Sequence, residues 1–168
     1  MPTTPPNLRY YRALVGRWSG RFELRVTDSN ALARQPLFTR LVGFTARFGG
    51  RAKIATTLDE AAPDRFLHTT RVTRFGLTLL RSRETIALSS DGSTFIIQGW
   101  QRFLWRHDPY RGEGQITADA SGAHYPITWL GAPMTQTTRI EGPDNEPSLR
   151  LVQQTVWSAG EVLLKRQS

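Results

Sequence analysis

Asn7-Leu8-Arg9-Tyr10-Tyr11-Arg12-Ala13-Leu14-Val15-Gly16-Arg17-Trp18-Ser19-Gly20-Arg21-Phe22-Glu23-Leu24-Arg25-Val26 passes from a helical to a strand pattern within twenty residues. Its first half puts Leu8, Tyr11, Leu14 and Val15 near one side of a helix, with Asn7 as a cap and Gly16 as the stop. After Trp18 the period changes from 3.6 to two. Gly20, Phe22, Leu24 and Val26 alternate with Arg21, Glu23 and Arg25, the pattern of a strand with one dry and one wet face. The chain therefore opens with a short helix that runs directly into a first strand.

Downstream the same alternation recurs at short, even spacing. Strands are predicted at about 51–59, 65–74, 77–89, 93–105, 112–119, 123–130, 134–141, 148–157 and 160–166. Turn signals separate them: Ala62-Pro63-Asp64, Asp91-Gly92, Asp108-Pro109, Ser121-Gly122, Gly131-Ala132-Pro133, Gly142-Pro143-Asp144-Asn145 and Ala159-Gly160. No helical pattern lies between most of them, which argues against a parallel α/β sheet. About ten strands with hairpin links must dispose of their edges, and closure does that. The expected class is all-β: a closed antiparallel up-and-down barrel with a short N-terminal helix, one domain over 1–168, and a loose proline-rich arm at 1–7. Residues 28–50 fit two readings. Leu37, Leu41, Phe44 and Phe48 suit a helix face, a lid between the first two barrel strands. Phe38, Val42, Phe44, Ala46 and Phe48 suit a strand, and the glycine pair Gly49-Gly50 would turn that strand into 51–59. The strand is the reading preferred here.

Composition narrows the setting. With 168 residues, 39% apolar and 21% charged, the chain is neither disordered nor membrane-spanning by helices. It has no cysteine, which removes disulfides, thiolate metal sites and a cysteine nucleophile. No secretory signal pattern precedes Asn7, so a soluble, cytoplasmic protein is expected. The net charge is +8 and uneven. Residues 1–110 carry 17 basic and 8 acidic side chains (+9), and residues 111–168 carry 5 and 6 (−1). The arginines are scattered singly, so no clear nucleic-acid or membrane partner follows. The mixed segment Trp100-Gln101-Arg102-Phe103-Leu104-Trp105-Arg106-His107 is better read as a long strand with its rim exposed than as a strand-binding platform. Oligomeric state is left open.

The Gly16-Arg17-Trp18 opening, behind a one- or two-turn helix, resembles the G-x-W signature of the calycins: lipocalins, fatty-acid-binding proteins and nitrobindin-like barrels. The resemblance implies that Trp18 plugs the narrow end of the barrel and that an arginine at the end of the last strand stacks over it. Arg166 shares a face with Val162 and Leu164 and is the carrier here. The pattern departs from secreted lipocalins in lacking their T-D-Y motif, for which Asp108-Pro109-Tyr110 is a poor substitute, and their long C-terminal helix. Haem, which a nitrobindin-like barrel would hold, is the lesser alternative to no cofactor, because none of His68, His107 and His124 lies in the last 40 residues.

A barrel of this size fills its interior or holds a ligand there. Alternation places Phe66, His68, Thr70 and Val72 on one inward face; Ala123, Tyr125, Ile127 and Trp129 on a second; Met134, Gln136, Thr138 and Ile140 on a third; and Leu149, Leu151, Gln153, Thr155 and Trp157 on a fourth. In 93–105 both faces are mixed, one with Thr94, Ile96, Gln98, Trp100 and Arg102, the other with Phe95, Ile97, Gly99, Phe103 and Trp105. Amides, hydroxyls and imidazole cannot sit in a dry barrel unpaired. Either Gln136 and Gln153 satisfy each other across strands, or a ligand satisfies them. The expected occupant is a small, mostly apolar molecule with a carboxylate or other oxygen function. The candidate lining is His68, Trp100, Arg102, Tyr125, Trp129, Met134, Gln136, Gln153 and Trp157, with Arg102 or Arg71 meeting a carboxylate.

Motifs for chemistry are sparse. No metal-ligand spacing, G-x-S-x-G or P-loop occurs, so no metal site is expected. Acid–base work would fall to His68, Tyr125, Glu84 or Asp119, with His68 and Tyr125 the leading pair for an isomerase, cyclase or hydratase. The expected function is a lipocalin-like carrier or sensor. An enzyme on the same barrel and an anion-binding surface protein, taking nucleic acid or acidic lipid, are the alternatives.

Overall fold

The computed structural model describes residues 4–47, 51–129, 132–143 and 146–167. Helix α1 (Pro6–Leu14) leads into β1 (Gly16–Val26), and two helices, α2 (Ser29–Ala33) and α3 (Leu37–Arg47), separate β1 from β2 (Arg51–Ala62). Then follow β3 (Arg65–Arg74), β4 (Leu77–Leu88), β5 (Thr94–Phe103), β6 (Arg106–Ile116), β7 (Gly122–Trp129), β8 (Ala132–Glu141), β9 (Ser148–Thr155) and β10 (Ser158–Arg166). Each strand pairs antiparallel with its sequence neighbour, and β10 returns to β1 to close the barrel. The expected class is therefore the observed one, with ten strands.

Closure places Trp18 opposite Arg166. Because consecutive strands alternate in direction, one end collects α1 and the turns after β2, β4, β6 and β8. The other collects α2, α3 and the turns after β3, β5, β7 and β9. The first end is closed. Asn7, fully buried, donates its side-chain amide to the carbonyls of Ser89 (2.9 Å) and Thr94 (3.0 Å), and Arg9 reaches the Asp119 carbonyl at 2.9 Å. Asn7 is thus not the helix cap. The helix starts at Pro6, whose missing N–H costs nothing there, and the Asn7 amide ties α1 to the β4–β5 turn. Pro6 and Asn7 therefore belong to α1.

Residues 29–33 and 37–47 are helical, which corrects the preferred strand. The Asp28 carboxylate accepts from the amides of Asn30 (2.8 Å) and Ala31 (2.9 Å) and so caps α2. The stripe taken for a core face points the other way: Leu37, Leu41 and Phe44 are exposed, while Phe38, Thr39 and Val42 face the barrel. The side chain of Phe48 lies outside the described residues.

Two apolar clusters hold the interior. One runs from α1 through Trp18, Phe66, Phe95 and Ile97 to Leu164. The other, Leu24, Leu32, Val42, Met134 and Trp157, sits beneath the two helices. The least-paired seam is β6–β7, where only Gln115↔His124 and Ile116↔Ala123 pair in register. Pro126 on β7 has no N–H to give to that ladder.

Candidate functional site

The barrel encloses a cavity of about 180 Å³. That volume accommodates a compact organic molecule or about a dozen waters. Its floor is Tyr10, Tyr11, Leu14 and Trp18, all buried. Its upper boundary includes the half-buried Arg74, Leu79 and Leu80, with Val42 of α3 opposite, so it opens between α3 and the β3–β4 turn. A register shift between Val72 and Thr73 lets both Leu79 and Leu80 face it.

At the floor, the Trp18 indole donates to the Leu14 carbonyl at 2.8 Å, and the Arg166 guanidinium lies 5.5 Å from the ring centroid. Arg166 also donates to the Val15 carbonyl. A side chain at Gly16, where φ is +129°, would press on that guanidinium at 3.3 Å. The tryptophan–arginine arrangement implied by the G-x-W opening is thus present in geometry.

Two polar belts cross the otherwise apolar wall. The first runs Thr56–His68–Glu84–Tyr110. His68 Nδ1 meets Glu84 at 3.3 Å, and its Nε2 meets the Thr56 hydroxyl. The Thr56 hydroxyl donates to the Thr69 carbonyl at 2.9 Å. Ser82 donates to Glu84 at 3.4 Å, and Tyr110 hydrogen-bonds the same carboxylate from β6, two strands away. Gly99 is what makes that reach possible. It lies between Glu84 and Tyr110 in register, and a Cβ there would stand 2.3 Å from the Arg83 carbonyl. The second belt runs Tyr125–Gln136–Gln153. Gln136 donates to the Tyr125 hydroxyl, and Gln153 donates to Gln136 at 2.8 Å. The two glutamines do pair across neighbouring strands.

Burial, the strongest single influence on Glu84, opposes its charge. The adjacent His68 and the hydrogen bonds from His68, Tyr110 and Ser82 outweigh it and hold the carboxyl below its ordinary value of 4.5. A buried carboxylate is thus charged at neutral pH. All four tyrosines of the chain lie in this interior, and burial pushes every one upward. Glu84 adds its negative charge to that shift at Tyr11, Tyr110 and Tyr125.

The depressed Glu84 has a consequence at low pH. A group whose folded-state value lies below its unfolded one stabilises the fold above the unfolded value and ceases to do so as pH falls through the folded one. Acid should therefore weaken the barrel below about pH 4.5. Thermal melts across pH 5 to 3 are expected to lose fewer degrees in Glu84→Gln than in wild type. Equal losses would show that Glu84 carries no such linkage.

Of the residues singled out from sequence, His68, Tyr125, Met134, Gln136 and Gln153 line the cavity. Trp100 and Arg102 do not. The inward set of β5 is Phe95, Ile97, Gly99, Gln101 and Phe103, since Phe95, Ile97 and Gln101 are buried while Gln98 and Arg102 are exposed. Trp100 instead stacks on His107 outside, ring centroids 5.3 Å apart, and Arg102 donates to the Leu104 carbonyl at 3.0 Å. Arg71 is also outside, donating to Thr78 at 3.0 Å. The arginine that reaches the cavity is Arg74. Trp157 is completely buried, but in the cluster under the helices rather than on the cavity. The side chain of Trp129 lies outside the described residues. Tyr10, Tyr11, Thr56, Gln101 and Tyr110 are lining residues that sequence reading did not place there. For Gln101, counting every second residue from Phe95 would have found it.

Among the described residues no cluster of three or more His, Asp or Glu is placed to hold a metal. His68 is the histidine on the cavity wall, and both its ring nitrogens are engaged. Thus no imidazole nitrogen among the described residues is turned free into the cavity for a haem iron.

Fold and site together define a closed ten-strand barrel around an apolar, polar-belted cavity. No family model matches the chain, and no curated protein matches it. A solved structure, Rv2717c from M. tuberculosis, shares the fold. It aligns over 99% of this chain and 100% of its own, at a TM-score of 0.59 and 12% identity. Identity that low speaks to the fold alone. No described helix is long and apolar enough to cross a membrane.

Proposed function

We propose that the protein is a lipocalin-like carrier or sensor that holds one small, mostly apolar molecule in its barrel. The observation that supports this most is the cavity itself, walled by aliphatic and aromatic side chains and crossed by two anchored polar belts. The Gly16-Arg17-Trp18 opening, with its resemblance to calycins, points the same way. The belts narrow the ligand. Glu84 is charged, so a carboxylate placed against it would be repelled, whereas a hydroxyl or amide N–H would be accepted. A carboxylate fits only at the mouth, beside Arg74. The ligand is therefore expected to enter apolar end or neutral donor first.

Tryptophan and tyrosine emission followed during titration with hydrophobic alcohols, amides and acids tests this reading. Saturable binding is expected, with alcohols or amides favoured. Gln136→Leu and Glu84→Gln should each weaken a hydroxyl-bearing ligand about tenfold, the cost of one lost hydrogen bond to a buried partner. No response to any member of the series would overturn it.

A second reading is supported by the Thr56–His68–Glu84 chain: acid–base catalysis on a bound apolar substrate, with His68 as the proton carrier and Glu84 orienting it. Thr56 serves there as an anchor, since its proton is directed at the Thr69 carbonyl. Turnover of a bound compound that disappears in His68→Ala but persists in Gln136→Leu would favour this reading over simple carriage.

A further inference from the structure

The open end of the barrel is built unlike the rest of the surface. Of the ten large apolar side chains that stand exposed among the described residues, eight belong to it: Leu37, Leu41 and Phe44 on α3, and Phe75, Leu77, Leu104, Trp105 and Val156 at the three turns beside it. Phe75 is 89% and Trp105 74% exposed. Exposed apolar residues gathered at one end mark a contact surface.

Two of the tips are also held against conformational preference. Phe75 and Leu104 have φ of +51° and +53°, the left-handed region that hairpin turns normally fill with Asn, Asp or Gly. Bulky apolar side chains there cost stability, and Phe75, at 89% exposed, gains almost no burial in return, while Leu104 stays 39% exposed. Their presence calls for something outside the barrel.

The charge around them identifies what. Segments 23–44, 71–81 and 100–108 hold eight arginines against Glu23, which pairs with Arg25 at 3.2 Å, and two aspartates. Both aspartates are engaged, Asp28 as the α2 cap and Asp108 in an ion pair with Arg106 at 2.9 Å. Arg71, Arg81 and Arg102 stand side by side across β3, β4 and β5, with no ion pair among the described residues. Adjacent like charges are unfavourable. Arg71 and Arg102 lean toward the tips through Thr78 and the Leu104 carbonyl. Arg71 lies four residues below the Phe75 tip, about 13 Å along the strand and about 10 Å along the barrel axis at the usual strand tilt. That matches the depth to which an interfacial protein buries its apolar face, leaving cations at the headgroups. A second copy is a poor occupant, because it would bring one arginine row against another.

We infer that the helix-covered end of the barrel docks on an anionic lipid bilayer, with Phe75, Leu104, Trp105 and the outer face of α3 entering the acyl boundary and the arginine row meeting the headgroups. The cavity mouth between α3 and the β3–β4 turn would then face the lipid. The scattered arginines of the sequence become a directed surface only once the strands place them. This inference stands apart from the cavity reading, since an empty barrel could dock and a loaded one could fail to.

Co-sedimentation tests it, using vesicles of phosphatidylcholine alone and with about 30 mol% phosphatidylserine. Binding is expected to the anionic vesicles and to fall steeply as salt rises toward about 0.5 M. Acyl chains brominated near the headgroup should quench the emission, and Trp105→Phe should remove most of that quenching while leaving sedimentation. The double variant Phe75→Asn, Leu104→Asn relieves the strained turns, so it should melt no lower than wild type yet bind anionic vesicles about tenfold more weakly. Arg81→Ser with Arg102→Ser should weaken binding comparably and flatten its salt dependence. Failure to sediment with anionic vesicles at low salt would overturn the inference. So would binding without quenching that the Phe75→Asn, Leu104→Asn variant leaves unchanged, or a concentration-dependent dimer abolished by that variant in place of vesicle binding.

Discussion

Raised from pH 9 to 12, the protein should keep its phenols silent past pH 10 and then lose its fold in one step, with tyrosinate absorbance and far-ultraviolet circular dichroism changing together. All four tyrosines, Tyr10, Tyr11, Tyr110 and Tyr125, are buried in the barrel interior, and burial raises each above its unfolded value near 10. A raised group contributes its stability fully below the unfolded value and loses it as pH climbs toward the folded one. Each buried phenol then costs about 1.4 kcal/mol per pH unit above 10. Four of them remove about 5 kcal/mol by pH 11, comparable to the whole stability of a small domain. The barrel is therefore expected to open between about pH 11 and 12. Titration of the phenols near pH 10 with the circular dichroism intact would mean that water in the cavity solvates them and that burial does not raise them.

Trp18→Ala should be the most damaging single substitution at the closed end. The indole is 2% exposed, donates to the Leu14 carbonyl and forms the cavity floor with Tyr10, Tyr11 and Leu14. Truncating a buried aromatic of this size costs about 3–5 kcal/mol. For a chain of this length that lowers the melting temperature by about 10 °C or more. Arg166→Ala should cost far less, about 1 kcal/mol, because its exposed guanidinium contributes one hydrogen bond and a solvent-screened ring contact. Calorimetry of both variants checks the order. Equal, small effects would mean that the floor is held by α1 rather than by the tryptophan.

Much of the barrel was legible because period-two alternation and turn chemistry are local signals. Tyr125 with Gln136 and Gln153, and His68 on the wall, follow from counting alternate residues, whereas Trp18 facing Arg166 follows from the resemblance carried by Gly16-Arg17-Trp18. Legibility failed where two periods fit one stretch. In 28–47 the helix and strand templates share Phe44, and what separates them is the Asp28 cap, a feature of hydrogen bonding rather than pattern. Even the correct helical template would have misplaced its apolar stripe, because Leu37, Leu41 and Phe44 face outward. In β5 both faces carry apolar residues. The register of β5 with β4 and β6 decides which is inside, and no single-strand pattern contains that. Gly99 brings Tyr110 to Glu84, a pair joined across a strand and therefore invisible to spacing along the chain.

Native mass spectrometry of the protein purified without denaturation, followed by solvent extraction, tests the central proposal most directly. A one-to-one adduct of a small, mostly apolar compound is expected, released on unfolding and diminished in Gln136→Leu. A barrel that always flies at its bare mass, and that takes up none of a hydrophobic library added in excess, would contradict it.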